Sequence, residues 1–318
     1  MLLLLNIACT GQAEVNPRHF PKGHRPLDTA VEEEDLQLSR VTRTVELPDF
    51  SGFSSPIDET ASLDSGFGPR RLSLEGGRTD FHKGVDLDAP RGTPVYAISD
   101  GTVFRIDDDG ESDGRTLYLE VTVPPFDFHG ETVERLYIVY SHLDSFAVSS
   151  EGEPVSDGQV VGAVGDSGGA VEPHLHVEVR VGTHCSLEYA TDNPDSDCGR
   201  HYDPAVNPFH VIPGYQPEVP TFTVLNADPL VLRVSTRTSD QDLNRVASDQ
   251  GLVDLDLRMG IDATSEEAMD NLDYGWLQLD PELEHEDPGH TRWFLTFASE
   301  PEWVEVLDIR GEGWRLDL

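Results

Sequence analysis

Four histidines and an aspartate stand out because their types and spacing could do metal-assisted chemistry. In Phe81-His82-Lys83-Gly84-Val85-Asp86 a histidine and a carboxylate are four residues apart. An even spacing returns to the same face of an extended chain, so one imidazole nitrogen and one carboxylate oxygen can converge on one cation. In Pro173-His174-Leu175-His176-Val177-Glu178-Val179-Arg180 apolar and polar residues alternate. Leu175, Val177 and Val179 then face one way, while His174, His176, Glu178 and Arg180 face the other. Such a strand presents two imidazoles to a single site. A third segment, Tyr140-Ser141-His142-Leu143, closes an apolar run; alone, a strand-end histidine of this kind reads as structural. Taken together, the residue types suit hydrolysis at zinc. Catalytic zinc takes three ligands from histidine and carboxylate and leaves a fourth position for water. Histidines outside the ligand set can orient that water, take its proton or stabilise an oxyanion.

The elements that must position these residues read as strands. From residue 62 to 212 short β-rich runs (GVDLDA, TPVYAISDGTVFRI, RTLYLEVTV, ERLYIVYSHL, QVVGAVGD, HLHVEVRV) alternate with Gly, Asp and Pro turns. That rhythm predicts an all-β domain with no long amphipathic helix. Residues 213–221 read as a linker. Residues 221–318 predict a small β-rich C-terminal domain, whose four tryptophans (Trp276, Trp293, Trp303, Trp314) are expected to fill its core. Residues 10–61 are polar and weakly periodic, with the acidic run Glu32-Glu33-Glu34-Asp35, and predict a disordered tether.

The chain has 60 acidic and 22 basic residues among 318, a formal net charge of −38. No excess of cations is available to displace counterions from phosphates, so nucleic acid is excluded as a partner. The same charge opposes docking on an anionic bilayer and suits a salty or extracellular setting. No apolar run reaches the roughly 20 residues of a membrane helix. Residues 1–9, Met1-LLLLNIA-Cys9, resemble the end of a bacterial lipoprotein signal in which Cys9 is lipidated, without its basic region and with Asn6 at a usually aliphatic position. This predicts export to the cell envelope, either anchored at the outer membrane facing the periplasm or extracellular. Cys185 and Cys198, 13 residues apart in a polar loop, are then expected to form a disulfide. Closing such a loop would contribute roughly 3 kcal/mol.

The quoted segments, in this order and spacing, resemble the lysostaphin-like (LytM-type) zinc metallopeptidases, endopeptidases of bacterial peptidoglycan. The resemblance covers about residues 64–212 and includes SGFGPRR at Ser65–Arg71 and DGQVVGAVGDSG at Asp157–Gly168. It implies a duplicated-hybrid-motif-like β-sandwich or barrel. It implies one zinc per chain held by His82, Asp86 and His176. It implies His142 and His174 as non-ligand catalytic residues, with the assignment of base and oxyanion stabiliser open. Substrates would be peptidoglycan peptides. The stretches 107–134 and 184–202 depart from the family pattern, so bond specificity does not carry over. Oligomeric state is not readable. His19, His24, His129, His184, His201, His210, His285 and His290 are expected as non-ligands.

Two other readings compete. A wall-binding or amidase-activating module without catalysis would be expected to lack ligands, and all five family positions are present. A phosphocarrier of the same fold would need a cytoplasmic phosphoryl donor, which export opposes.

Overall fold

The computed structural model describes residues 38–42, 47–58 apart from 49 and 51, 61–72, 78–108, 113–128, 131–182, 205–212, 219–227, 230–237, 245–248, 251–254, 277–279, 290–296, 301–308 and 311–318. Cys9, Cys185, Cys198 and Trp276 lie outside these residues, as do the lipid and disulfide expectations. No helix of the described residues is long and apolar enough to cross a membrane.

The strands, in chain order, are β1 (Leu38–Thr42), β2 (Ser62–Ser65), β3 (Gly68–Leu72), β4 (Arg78–His82), β5 (Val85–Asp88), β6 (Pro94–Tyr96), β7 (Gly101–Asp107), β8 (Thr116–Phe128), β9 (Glu131–Ser141), β10 (Ser145–Phe146), β11 (Pro154–Val155), β12 (Val160–Ala163), β13 (His174–Val181) and β14 (Ala205–Val206). A 3-10 turn at Pro208–His210 follows. The remainder is β15 (Thr221–Ala227), β16 (Leu230–Arg237), β17 (Arg245–Ser248), β18 (Gly251–Asp254), β19 (Leu277–Leu279), β20 (His290–Thr296), β21 (Trp303–Leu307) and β22 (Glu312–Asp317). The expected all-β character is what the described residues adopt.

The sheet that carries the site runs in the order β11-β7-β8-β9-β13-β5-β2, with β14 pairing β13. A three-stranded sheet β10-β12-β6 and the hairpin β3-β4 lie beside it in the chain. No sheet of the described residues closes into a barrel; the arrangement is several open antiparallel sheets. One face of the central strands is the core. Leu117, Leu119, Leu136, Ile138, Tyr140, Leu175, Val177 and Val179 are fully buried in one cluster. Strict alternation puts the hydrophobic set on one side of β13 and the histidines on the other, so a register slip of one residue would exchange them.

The tether expected over residues 10–61 is corrected for its described part. β1 pairs antiparallel with β22, so Leu38–Thr42 completes the sheet β1-β22-β21-β17-β18 near the far end of the chain. Leu47, Phe50 and Ile57 are buried in the same core as the central strands. Irregularly spaced apolar residues carry no periodic signal, and pairing between residues 38 and 316 leaves no local trace in sequence.

The C-terminal region is β-rich in two sheets, the second in the order β15-β16-β20-β19. Trp303 and Trp314 are only partly buried, unlike the core role expected of them. The Arg315 guanidinium lies 4.5 Å from the centroid of the Trp303 ring, a cation–π contact with a partly buried aromatic.

Candidate metal centre

Register places the site. In the sheet, Asp86 on β5 stands opposite His176 on β13, and His176 stands opposite Ser141 at the end of β9. Three residues thus line up across three strands, and His142 follows directly on the third. His82 reaches the same point from a different sheet. It ends β4, which pairs with β3, and the chain bends at Lys83 and Gly84 before β5 begins. The sequence pattern suggests one extended segment with His82 and Asp86 on a shared face. The structure brings them together across a bend instead. Gly84 makes that bend fit, since a Cβ there would lie 2.3 Å from the Val177 carbonyl oxygen and 2.9 Å from His176 Cε1 and Nε2.

Hydrogen bonds fix which atoms face inward. His82 donates Nδ1–H to the Gly66 carbonyl at 2.7 Å, so its Nε2 carries a lone pair. That Nε2 is 3.0 Å from His176 Nδ1 and 3.2 Å from Asp86 Oδ1. Asp86 Oδ1 is 2.8 Å from His176 Nδ1. A tetrahedral zinc with ligands at 2.0–2.1 Å sets its donor atoms roughly 3.3 Å apart. The three observed separations are close to this, and the donor set of two imidazoles and a carboxylate is one that zinc takes. Among the described residues His82, Asp86 and His176 are the one group of this kind, a single candidate zinc site.

The electrostatics agree. Burial would raise the Asp86 carboxyl, but His82 and His176 outweigh it and hold the group well below the carboxylate range. Burial would lower His176, but hydrogen bonds to Asp86 and Glu178 and their charges lift it to about 10. The cluster therefore draws positive charge, whether a proton or a metal ion.

Behind His176 lie Glu178 and Arg180, which the alternation places on the histidine face without assigning them a role. His176 donates Nε2–H to Glu178 Oε1 at 3.2 Å. Glu178 Oε2 in turn accepts from Arg180 Nε at 2.6 Å. Both residues are buried, at 7% and 4% exposure, so they are not a solvated edge. Burial would raise Glu178, but Arg180 and His176 keep it ionised. The signal was the i, i+2, i+4 spacing on one strand face; what was missing was that this face is covered. A carboxylate on the far nitrogen of a ligand histidine fixes its tautomer and orientation. Replacing Glu178 by Gln should therefore weaken zinc binding about 10–100-fold, measured by competition with a calibrated chelator at constant pH.

The other two histidines border the cluster. His142 donates Nδ1–H to the Ser167 carbonyl at 2.9 Å, and His174 donates Nδ1–H to the Glu172 carbonyl at 2.9 Å. In each the nitrogen left to accept a proton is Nε2. Their rings pack edge to face at 4.8 Å between centroids, and His142 lies 5.9 Å from the His176 ring. His174 Nε2 is 3.6 Å from Asp86 Oδ1. Burial, aided by the charge of His176, pushes His142 down to about 4. Its backbone is left-handed, with φ of 59°. All five residues singled out in the sequence are thus gathered in one place. Of the remaining histidines, His210 lies in the 3-10 turn and the side chain of His290 is not described; the others fall outside the described residues.

Residues 80–187 match the profile of Peptidase family M23. Over this stretch the chain is similar to peptidase family M23. With the His-Asp-His cluster, the match marks a zinc metallopeptidase domain related to lysostaphin, as the motifs suggested. Over 128 residues the chain is 36% identical to the peptidoglycan DD-endopeptidase ShyC of Vibrio cholerae, covering 40% of this chain and 26% of that protein. It is 34% identical over 113 residues to the glycyl-glycine endopeptidase ALE-1 of Staphylococcus capitis, covering 36% of this chain and 27% of that one. Among solved structures, a zinc-containing peptidase from Vibrio cholerae is 33% identical, with a TM-score of 0.34, over 41% of this chain and 36% of that chain. The chain spans about a quarter of the length of the curated relatives it matches. The M23 match encloses His82, Asp86, His142, His174 and His176.

Proposed function

We propose that this chain is a zinc-dependent endopeptidase that hydrolyses peptide cross-links or stem peptides of bacterial peptidoglycan. The observation that carries the reading is the convergence of His82 Nε2, Asp86 Oδ1 and His176 Nδ1. Each atom has its partner geometry set from behind or beside, and the three together suit one zinc ion. When bound, zinc supplies a Lewis acid that polarises the scissile carbonyl and activates water.

The other roles follow from which histidine can hold a proton. His142 is neutral at physiological pH and offers Nε2 as an acceptor, which suits orienting water and receiving its proton. His174 Nε2 lies 3.6 Å from the Asp86 carboxylate, at the edge of the cluster, which suits hydrogen bonding to an oxyanion formed there. The substrate class rests on the likeness to ShyC and ALE-1, whose names specify peptidoglycan and glycyl-glycine bonds respectively. The lipoprotein-like start, export to the envelope, and a Cys185–Cys198 disulfide belong to the same reading. So does a duplicated-hybrid-motif-like arrangement of the sheets.

The test is digestion of purified sacculi and cross-linked muropeptides of several wall types, followed by mass spectrometry. Zinc-loaded protein should release peptides cut at one bond type, and chelator should abolish release, with recovery on adding zinc. Chelator-insensitive cleavage would overturn the reading. So would inactivity of protein containing one zinc per chain. A zinc-to-protein ratio near zero in protein prepared with zinc would favour a non-catalytic wall-binding or activating module.

A further inference from the structure

We propose that Arg91 is a positioning residue that holds His142 in its working tautomer by clamping two acidic loops together. The inference rests on His142 acting beside the zinc site. Arg91 lies in the turn between β5 and β6. Its Nη1 donates to Asp144 Oδ1 at 2.7 Å, and its Nη2 donates to Asp166 Oδ1. Asp144 is two residues beyond His142. Asp166 immediately precedes Ser167, whose carbonyl accepts the His142 Nδ1–H. One guanidinium thus joins the loop that carries the imidazole to the loop that sets its tautomer.

The surroundings explain why a clamp is needed there. The turn holding Arg91 is tied by backbone bonds to the strand end before Asp166, from Gly92 N–H to the Val164 carbonyl and from Val164 N–H to the Thr93 carbonyl. The chain then leaves that ladder. Ser167 Oγ donates to the Leu143 carbonyl at 2.8 Å and accepts from Arg115 N–H at 2.8 Å. Gly165 fits so closely that a Cβ would lie 2.3 Å from the Asp144 nitrogen. His142 itself sits at φ of 59°, a conformation that a side chain disfavours and that the neighbours must impose. Without Arg91 the Asp144 and Asp166 carboxylates would face each other as like charges. Their repulsion would part the loops and draw the Ser167 carbonyl from the imidazole.

Exposure separates this role from a general stabilising one. The Arg91 side chain is 50% exposed, and those of Asp144 and Asp166 are 38% and 35%. Ion pairs this exposed contribute little to global stability, so their removal should act on the local geometry and leave the fold intact. A displacement of the working imidazole of about 1 Å can cost as much as a hundredfold in rate. High salt should weaken the clamp in the same way, because at 1 M the screening length is only about 3 Å.

The experiment uses the 318-residue chain, zinc-loaded and labelled with nitrogen-15 in its imidazoles. Arg91→Met should keep one zinc per chain and melt within a few degrees of the parent. Its His142 Nδ1–H signal should broaden or disappear. On cross-linked muropeptides kcat should fall roughly ten- to hundredfold with KM little changed. Asp166→Asn should fall less. Arg91→Met combined with Asp166→Asn should recover part of the loss, because the repulsion is gone. An unchanged His142 signal in Arg91→Met overturns the proposal, as does an unchanged kcat. Should Arg91→Met fail to fold, Asp166→Asn and Arg91→Lys decide by the same imidazole signal. If the parent cuts no peptidoglycan, the proposed function falls, while the imidazole signal still tests the clamp.

Discussion

Replacing His176 by alanine is expected to lower the zinc-to-protein ratio from near one to near zero. His176 Nδ1 is central in the cluster, 2.8 Å from Asp86 Oδ1 and 3.0 Å from His82 Nε2. Its loss leaves two donors where catalytic zinc takes three. The cost extends beyond the metal. Asp86 and Glu178 both use His176 to offset a burial that would otherwise raise their pKa. Breaking a buried charged contact by removing one partner costs about 3–5 kcal/mol. Metal analysis and denaturant unfolding of the same preparation check both parts. Stoichiometric zinc retained by the variant would show that the ligand set is wrong. The same preparation should be inactive on peptidoglycan, and its inactivity should not be rescued by excess zinc.

Replacing His142 by alanine should have the opposite signature: one zinc kept, and kcat/KM lowered by about 10²–10⁴, the usual contribution of general acid–base catalysis. His142 is not one of the three converging donors, and its Nδ1 is committed to the Ser167 carbonyl. Loss of zinc from this variant would move His142 from base to ligand support. A second measurement uses the same residue in metal-free protein. Burial, helped by the charge of His176, pushes His142 down to about 4 from its ordinary 6.5. Between those values the unfolded chain binds the additional proton and the folded one does not. Stability from this group is therefore fully present above pH 6.5 and is lost as pH falls through about 4. Urea unfolding between pH 4 and 7 should show this slope, and His142→Ala should flatten it. A slope identical in parent and variant would mean that His142 is not buried as a neutral imidazole.

These two substitutions divide the five site residues into those that hold a metal and those that act beside it. Glu178 belongs with the first set by touching a ligand, and Arg91 with the second by holding the loop that carries Ser167. Neither relation is visible from residue type. An Arg and a Glu on an apparently polar strand face read as solvent-facing in any sequence, and the deciding fact is that Glu178 and Arg180 are buried.

Much of the site was readable because it depends on local periodicity. The alternation in His174–Val181 dictates a strand with apolar residues inward, and β13 has that strand with that face. The resemblance then supplied the ligand set and the non-ligand histidines. Composition and turn spacing were enough for an all-β domain, because β-branched runs between Gly, Asp and Pro turns have few other ways to bury their faces.

What only the tertiary structure decided depends on residues far apart in the chain. His82 and Asp86 meet across a bend that Gly84 permits, and the tightness of that fit comes from Val177 and His176, more than ninety residues later. Leu38–Thr42 becomes a strand only because β22 offers it an edge. Leu47, Phe50 and Ile57 are core only because the central sheet leaves them a surface to cover. Periodicity records which way a side chain points along its own strand. Pairing, burial and clamping record what is waiting on the other side, and that is set by the fold as a whole. For the feature that mattered most, sequence named His82, Asp86 and His176 as candidates, and register across β5 and β13 is what brought two of those three face to face.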